Sequence, residues 1–301
     1  MAKILTTSNA ENTIREAYRP GFEEGLWRNG ELLPLLEKRP SFGDTSWRWK
    51  VHTTGNDSVE IFSEGEAQPI AGVQVFENAA VAFNYFRVMV HVTGHAKDAL
   101  KSRWIDHIDA EATMAQTDLL DLMTTSFMGS TYGLELAVDY GDAYAGITRN
   151  GSAAYFEPTE TAVDDKVTTD DLIDLQETCR DADKASKGPA IWLMSLAQES
   201  NIYRLQGNHV ITNNNPADKA PGLTRQTFNG DPVVPLRDWS STVIMRLDMT
   251  PGKNQIIEHR PFSVLEMGPS GDSAGIYQFS WAGCFADHNP RFDGKLTGCT
   301  A

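Results

Sequence analysis

His107 and Glu111 lie four residues apart within a helical pattern, so they would share one face of a helix, with Asp106 and Asp109 close by. An imidazole and a carboxylate at that spacing could hold a divalent cation. The other two acids fall on different faces, however, and the group reads as a solvated polar surface. His91 and His95 are also four apart, but they straddle Thr93 and Gly94, where helical spacing does not apply. Cys284 and His288 would make a nucleophile and base only if their side chains converged. On a strand they share a face but lie about 13 Å apart along it, and a core cysteine is the better reading. Cys179, Cys284 and Cys299 are odd in number and lack metal-ligand spacing, so neither a disulfide framework nor a zinc site is expected. Phosphate-binding glycine loops, nucleophile elbows and HExxH helices are absent from the sequence. The sequons Asn56-Asp57-Ser58 and Asn150-Gly151-Ser152 carry no meaning without a secretory route. The expectation is a protein with no catalytic residue, no metal ligand and no cofactor.

Composition narrows the class. The chain has 301 residues, 41% of them hydrophobic, enough for a sizeable core in one large domain or two. No apolar run approaches the roughly 18 residues of a membrane span, and the first twenty residues lack the pattern of a signal peptide. The chain is therefore expected to be made in the cytosol. A net charge of -15 argues against a surface that grips nucleic acid through its phosphates. Residues 1–50 carry eight Lys/Arg against seven Asp/Glu, which leaves -16 for the rest. A near-neutral leading segment thus precedes an acidic body.

The dominant element is the stretch Lys97–Met128, 32 residues without Gly or Pro. Leu100, Trp104, Ile108, Ala112, Ala115, Leu119 and Leu122 repeat at three-and-four spacing and form one apolar stripe. Such a helix would be about 48 Å long, several times the usual length, and needs a long surface to lie on. Upstream, residues 1–47 read as an arm, with four leucines and two prolines in ELLPLLEKRP, which cannot close a core alone. These leucines would pack on the chain's own body or on a neighbour. Ser46–Phe62 reads as a projecting β-hairpin with TTGNDS as its turn and Val59–Phe62 as its return strand. VQVF and AVAFNYFRVMVHV read as strands leading into the helix.

Downstream of Gly129 comes a Gly- and Tyr-rich segment, then residues 157–184 with ten acids against three bases. Thr168 and Asp171 fit a capping box before a helix that turns Leu172, Leu175, Cys179 and Ala182 to one side, its acids facing water. Ala190–Met194 reads as a buried strand followed by a helical turn. Val233–Met249 and Gln255–Glu258 read as further strands interrupted by Pro251 and Gly252. In the final strand, Ile276–Phe285, residues Tyr277, Phe279, Trp281 and Phe285 share one face.

The order of parts, arm, projecting hairpin, strands, very long helix, α/β segment and final strand, resembles the major capsid proteins of tailed bacteriophages with the Hong Kong ninety-seven type fold. The resemblance spans essentially the whole chain. EGEAQPIAGVQVF, VMVHVTGHAKDAL, GPAIWLMSLAQESNIYRLQG and FADHNPRFDGKL carry it locally. It implies an α+β fold with an N-terminal arm (1–45), an extended loop (46–72), a peripheral domain (73–129) whose spine helix is 97–128, an axial domain (130–275), and a C-terminal strand segment (276–301) returning to the peripheral domain.

By the same resemblance the protein would be a structural subunit, not an enzyme. It would self-assemble as pentamers and hexamers into the icosahedral head shell of a tailed phage, enclosing double-stranded DNA without sequence-specific binding. Its location would be the virion, after assembly in the host cytoplasm, with separate scaffold, decoration and portal proteins as partners and no membrane. Leu32, Leu33, Leu35, Leu36, Trp47, Arg48, Trp49, Lys50, Glu64 and Glu66 would make contacts between subunits. Some members of the family join subunits by a Lys–Asn isopeptide bond with a Glu on a strand. Here the hairpin offers only Lys50, and Ile276–Phe285 holds neither Asn nor Glu, so no such crosslink is expected. The chain opens in the arm, which implies a separate scaffold or none. An encapsulin-like nanocompartment shares the fold and is the nearest alternative; a soluble enzyme with an unrecognised site is the other. Pro at Ala112 should cost about 3 kcal/mol or more and kink the long helix, so particle yield of Ala112→Pro, read by electron microscopy, should fall to nothing.

Overall fold

Two prolines and a run of leucines open the part of the chain that the computed structural model describes, which comprises residues 32–41, 45–54, 75–93, 104–129, 133–141, 143–149, 155–182, 189–206, 227–237, 239–267 and 273–300. A 3-10 turn at Leu33–Leu35 leads into β1 (Glu37–Pro40), followed by β2 (Ser46–Thr54), β3 (Val75–Ala82), β4 (Asn84–Thr93), the long helix α1 (Trp104–Met128) and the short α2 (Leu134–Ala137). Then come β5 (Thr159–Ala162), α3 (Thr169–Ala182), β6 (Ala190–Ser195), α4 (Leu196–Gln206), β7 (Thr227–Phe228), β8 (Asp231–Leu236) and β9 (Ile244–Asp248). The chain closes with β10 (Asn254–Met267), β11 (Ser273–Asp287), a 3-10 turn at Pro290–Phe292, and β12 (Gly294–Thr297). The fold class is α+β.

The chain divides into two compact units. The first draws its described residues from the segment up to Thr45, from Ala82–Phe127 and from Ile256–Cys284; the second from Ser46–Val81, Met128–Gln255 and Phe285–Ala301. These limits differ from the expected ones. Residues 256–275 belong with the long helix rather than with the segment that follows it, and residues 285–301 belong with the second unit. The stretch expected as a single strand before the helix is broken at Phe83 into β3 and β4, one on each side of the division.

In the first unit the sheet order is β1-β10-β11-β4, with β4 antiparallel to β11 from Asn84 opposite Gly283 to Thr93 opposite Ser273. The helix α1 has 25 residues, a length of about 37 Å, and its C-terminal end at Met128 is the expected one; residues 97–103 lie outside the described residues. Its buried stripe is Ala115, Leu119, Met123 and Phe127, joined by Leu120. Leu122, expected on that stripe, is instead 55% exposed while Met123 is fully buried. From Leu119 the two positions lie about 60° to one side and about 40° to the other, and the stripe follows the four-residue repeat toward Phe127. There Phe86 of β4, Trp281 of β11 and Phe127 form a triangle of rings with centroids 5.7, 5.8 and 5.9 Å apart. Two of the three pairs meet edge to face, the arrangement aromatic quadrupoles favour.

The Trp281 ring also explains a glycine. A Cβ on Gly283 would lie 2.3 Å from the Trp281 ring and 2.4 Å from the Ile257 carbonyl oxygen, so the large side chain occupies its neighbour's space on the same strand face. The indole N–H donates to Glu258 (2.8 Å), which also pairs with Lys38 of β1 at 2.7 Å. One carboxylate of the central strand β10 thereby binds both β11 and the strand that follows the leucines. Leu32, Leu33 and Leu36 are buried within the chain itself and Leu35 is half-buried.

The second unit is built on a mixed six-stranded sheet, β5-β12-β9-β6-β8-β7. Every residue of β6 is buried, as expected of a central strand covered on both faces. The helix α3 starts at the expected capping box: Asp171 N–H donates to Thr168 Oγ1 (3.3 Å), and the Asp171 carboxylate accepts from Thr168 N–H (2.8 Å). Its Leu172, Leu175 and Cys179 join Trp192, Met194, Ile202, Val233, Ile244 and Leu296 in the core. After β6 the chain forms the 11-residue helix α4 rather than a single turn. β10 runs for 14 residues through Pro261, far beyond the expected Glu258.

Truncating a ring of the triangle should be costly, because it leaves a cavity that a rigid sheet and helix cannot close. Phe127→Ala should lose about 3–5 kcal/mol of unfolding free energy, whereas Leu122→Ala should lose under about 0.5 kcal/mol. Urea unfolding of the two variants checks both.

Candidate functional site

Among the described residues β2 pairs with β3. The expected return strand lies outside the described residues, and the ribbon formed is the stem of the whole segment between Thr54 and Val75. Strand alternation sends Trp47, Trp49, Val51 and Thr53 to one face of β2, and Arg48 and Lys50 to the other. Val51 and Thr53 are buried, the two tryptophans half-buried, and Arg48 and Lys50 exposed. Of the residues expected to touch neighbouring subunits, Glu64 and Glu66 lie outside the described residues. Arg48 and Lys50 point to solvent, and the tryptophans pack on other residues of the second unit, to which β2 belongs.

Their anchor is His288, which follows β11. Trp47 Nε1 donates to His288 Nε2 at 3.0 Å, and the imidazole plane stands at 85° to the indole. Because Nε2 accepts, the proton of the neutral ring is on Nδ1, which donates to the Lys253 carbonyl at 3.0 Å. The His288 backbone N–H donates to that same carbonyl at 3.1 Å. Trp49 covers the other side of the cluster, with ring centroids 4.9 Å from His288 and 6.5 Å from Tyr144. Tyr144 opens a two-residue turn through Ala145 (φ 51°) and Gly146 (φ 81°), and the Ala145 carbonyl accepts from Ala80 N–H of β3 at 2.8 Å. Further along β2, His52 lies between Phe76 (5.1 Å) and Tyr155 (5.2 Å), and Arg291 covers Tyr155 at 4.9 Å. Both strands of the stem are therefore fastened within the second unit.

A charged cluster underlies this clasp. Arg149 is fully buried, donates to the Ala137 and Leu136 carbonyls at the end of α2, and lies 5.7 Å from the Tyr144 ring. Asp287 N–H donates to Tyr144 Oη at 2.9 Å. Burial pushes the Asp287 carboxyl well above the usual range, and the nearby Asp293 carboxylate raises it further. Asp293 is pushed up by burial to about 6, although its oxygens accept from Asp248 N–H (2.6 Å) and Asn254 Nδ2 (3.0 Å), bonds that favour its charged form.

Burial pushes the Cys284 thiol up to about 12, so it is no thiolate at neutral pH, and His288 spends its ring nitrogens on Trp47 and Lys253. Burial likewise pushes Cys179 to about 12 and Cys299 to about 11. His91 is exposed on β4, and His95 lies outside the described residues. Asp106, His107, Asp109 and Glu111 lie on α1. No group of three or more His, Cys, Asp or Glu among the described residues is placed to hold a metal ion. No described helix is long and apolar enough to cross a membrane.

Searches by sequence find nothing: no protein-family profile matches the chain, and no curated protein matches it. Comparison of folds is decisive instead. The architecture is that of the phage major capsid proteins of the Hong Kong ninety-seven type. The chain is similar to the capsid protein of cyanophage A-1(L), with a TM-score of 0.66 and 11% identity over 89% of this chain and 92% of that one. It is similar to the SrpI encapsulin of Synechococcus elongatus PCC 7942, with a TM-score of 0.62 and 16% identity over 89% and 86% of the two chains. It is also similar to the virus-like particle protein of Pyrococcus furiosus, with a TM-score of 0.57 and 16% identity over 93% and 98%.

The raised carboxyls give a pH signature with a defined sign. The folded chain holds protons on Asp287 and Asp293 that the unfolded chain releases above about pH 4, so the pair's contribution to stability falls as pH rises from there through their folded values. Asp287→Asn does not titrate at this position and should gain stability relative to the parent between pH 5 and pH 7 in urea unfolding of the isolated chain. A constant difference would mean that the pair is ionised in the fold.

Proposed function

We propose that this chain is the subunit of a closed protein shell, and specifically the major capsid protein of a tailed phage, enclosing double-stranded DNA. The observation that carries the reading is the likeness of fold to a capsid subunit over 89% of this chain. In this reading the first unit is the peripheral domain with α1 as its spine, the second unit is the axial domain, residues 46–72 form the extended loop, and the segment before β1 is the arm. Pentamers and hexamers of the chain form an icosahedral head in the virion, built in the host cytoplasm with scaffold, decoration and portal proteins as partners. The protein is structural rather than enzymatic.

Surface chemistry supports this. Tyr85 and Met89 are 63% and 48% exposed on β4, and Leu265 is 51% exposed on β10, while Leu196 and Tyr203 stand out from α4 at 51% and 57%. Apolar groups of this size gain by burial against a neighbour. Val51 and Thr53 are buried within the chain, which gives the stem a fixed base. Arg48 and Lys50 lie exposed on that stem, where they would meet acidic groups of an adjacent subunit. The charge of -15 suits a wall that contains DNA without gripping it.

An encapsulin-like nanocompartment is the second reading, favoured by the similarity to the SrpI encapsulin. Expression of the chain followed by size exclusion with light scattering tests the common part: megadalton particles are expected, and a stable monomer would overturn the shell. Nuclease-protected double-stranded DNA in particles from the native source is expected of the phage head, and enclosed protein without DNA would favour the compartment.

A further inference from the structure

We infer that His288 makes the loop stem an acid-labile clasp, closed when its ring is neutral and opened when Nε2 takes a proton. The polarity of its hydrogen bonds carries the argument. Nδ1 already donates to the Lys253 carbonyl and Nε2 already accepts from Trp47, so a second ring proton can only sit on Nε2, facing the indole N–H. Two donors then meet at 3.0 Å where a donor and an acceptor met before. Flipping the ring restores no acceptor, because both nitrogens of the protonated imidazole are donors. Trp47 must give way.

Groups facing the clasp on every side fit this outcome. On β2 it meets Trp47 and Trp49, which carry no charge; the Trp49 ring, 4.9 Å away, accommodates a cationic ring once Trp47 has left. From the β9–β10 turn it meets Lys253, whose ammonium pairs with Asp248 and lies 3.7 Å from the Phe292 ring. Beside it in the chain is Asp287, with Asp293, Arg149 and Tyr144 beyond. An unperturbed imidazole changes charge near pH 6.5, within the range a cell or its compartments reach. Opening at Trp47 would loosen β2 along its first residues while the core sheet around β6 stays closed. The clasp is a property of the single chain, so it holds or fails independently of the shell reading.

Hydrogen exchange read by mass spectrometry on the full chain tests it, at pH 7.5 and pH 5.5 with rates corrected for intrinsic exchange. The peptide over Ser46–Thr54 should lose at least tenfold protection at the lower pH, while Ala190–Ser195 keeps its own. His288→Gln places an amide oxygen toward Trp47 and an amide N–H toward Lys253, neither of which titrates, and should keep the stem protected at both values. Trp47→Phe, which removes the donor, should leave the stem weakly protected at both. Equal protection of the parent stem at the two pH values overturns the proposal, as does a pH-dependent loss that survives in His288→Gln.

Discussion

Closure of three rings from three distant parts of the sequence is the constraint on which the first unit depends. Phe86, Phe127 and Trp281 come from a strand before the long helix, from its last turn, and from a strand near the end of the chain. A 25-residue helix cannot be stable on propensity alone in water with an exposed apolar stripe. It becomes so by lying on β4 and β11, and those strands find register by pairing under it. Gly283 is part of the same solution, since only its missing side chain leaves room for the Trp281 ring. The carboxylate of Glu258 then extends the arrangement outward to Lys38, which explains why a short leading strand is held against the sheet.

The second unit solves a different problem with polar chemistry. Arg246 and Asp231 are both buried and paired at 3.1 Å, with Gln176 donating to the same carboxylate at 2.9 Å, so strands β8 and β9 and helix α3 share one satisfied network. Lys295 of β12 is similarly buried and pairs with Asp139 and Glu160. Such networks add little net stability compared with apolar packing, yet losing one partner leaves an uncompensated charge. Their effect is to define which strand lies beside which.

Local patterns were legible and distant ones were not. The capping box at Thr168 and Asp171, the buried strand Ala190–Met194 and the end of the long helix at Met128 each depend on neighbours in sequence. Misplacement of Leu122 came from following a three-residue step where the buried stripe takes a four-residue one. The turn at Asn229-Gly230, with φ of 47° and 94°, has a plain hairpin signal in its Asn-Gly pair. Pro261 hid the length of β10, because a proline inside a run argues against a strand. For the clasp there was no signal at all: 241 residues separate Trp47 from His288, and an imidazole was read against the nearby Cys284 instead. The order of elements carried the fold where no profile could.

The central proposal is that copies of this chain form a closed, repeating shell. A cryo-electron microscopy reconstruction of particles assembled from the full chain tests it most directly. The account predicts a closed icosahedral shell with five-fold vertices, the Phe86–Phe127–Trp281 triangle intact in every subunit, and the loop from Thr54 to Val75 resting on an adjacent copy. Particles that lack icosahedral order, or a shell in which that loop folds back on its own subunit, would contradict it.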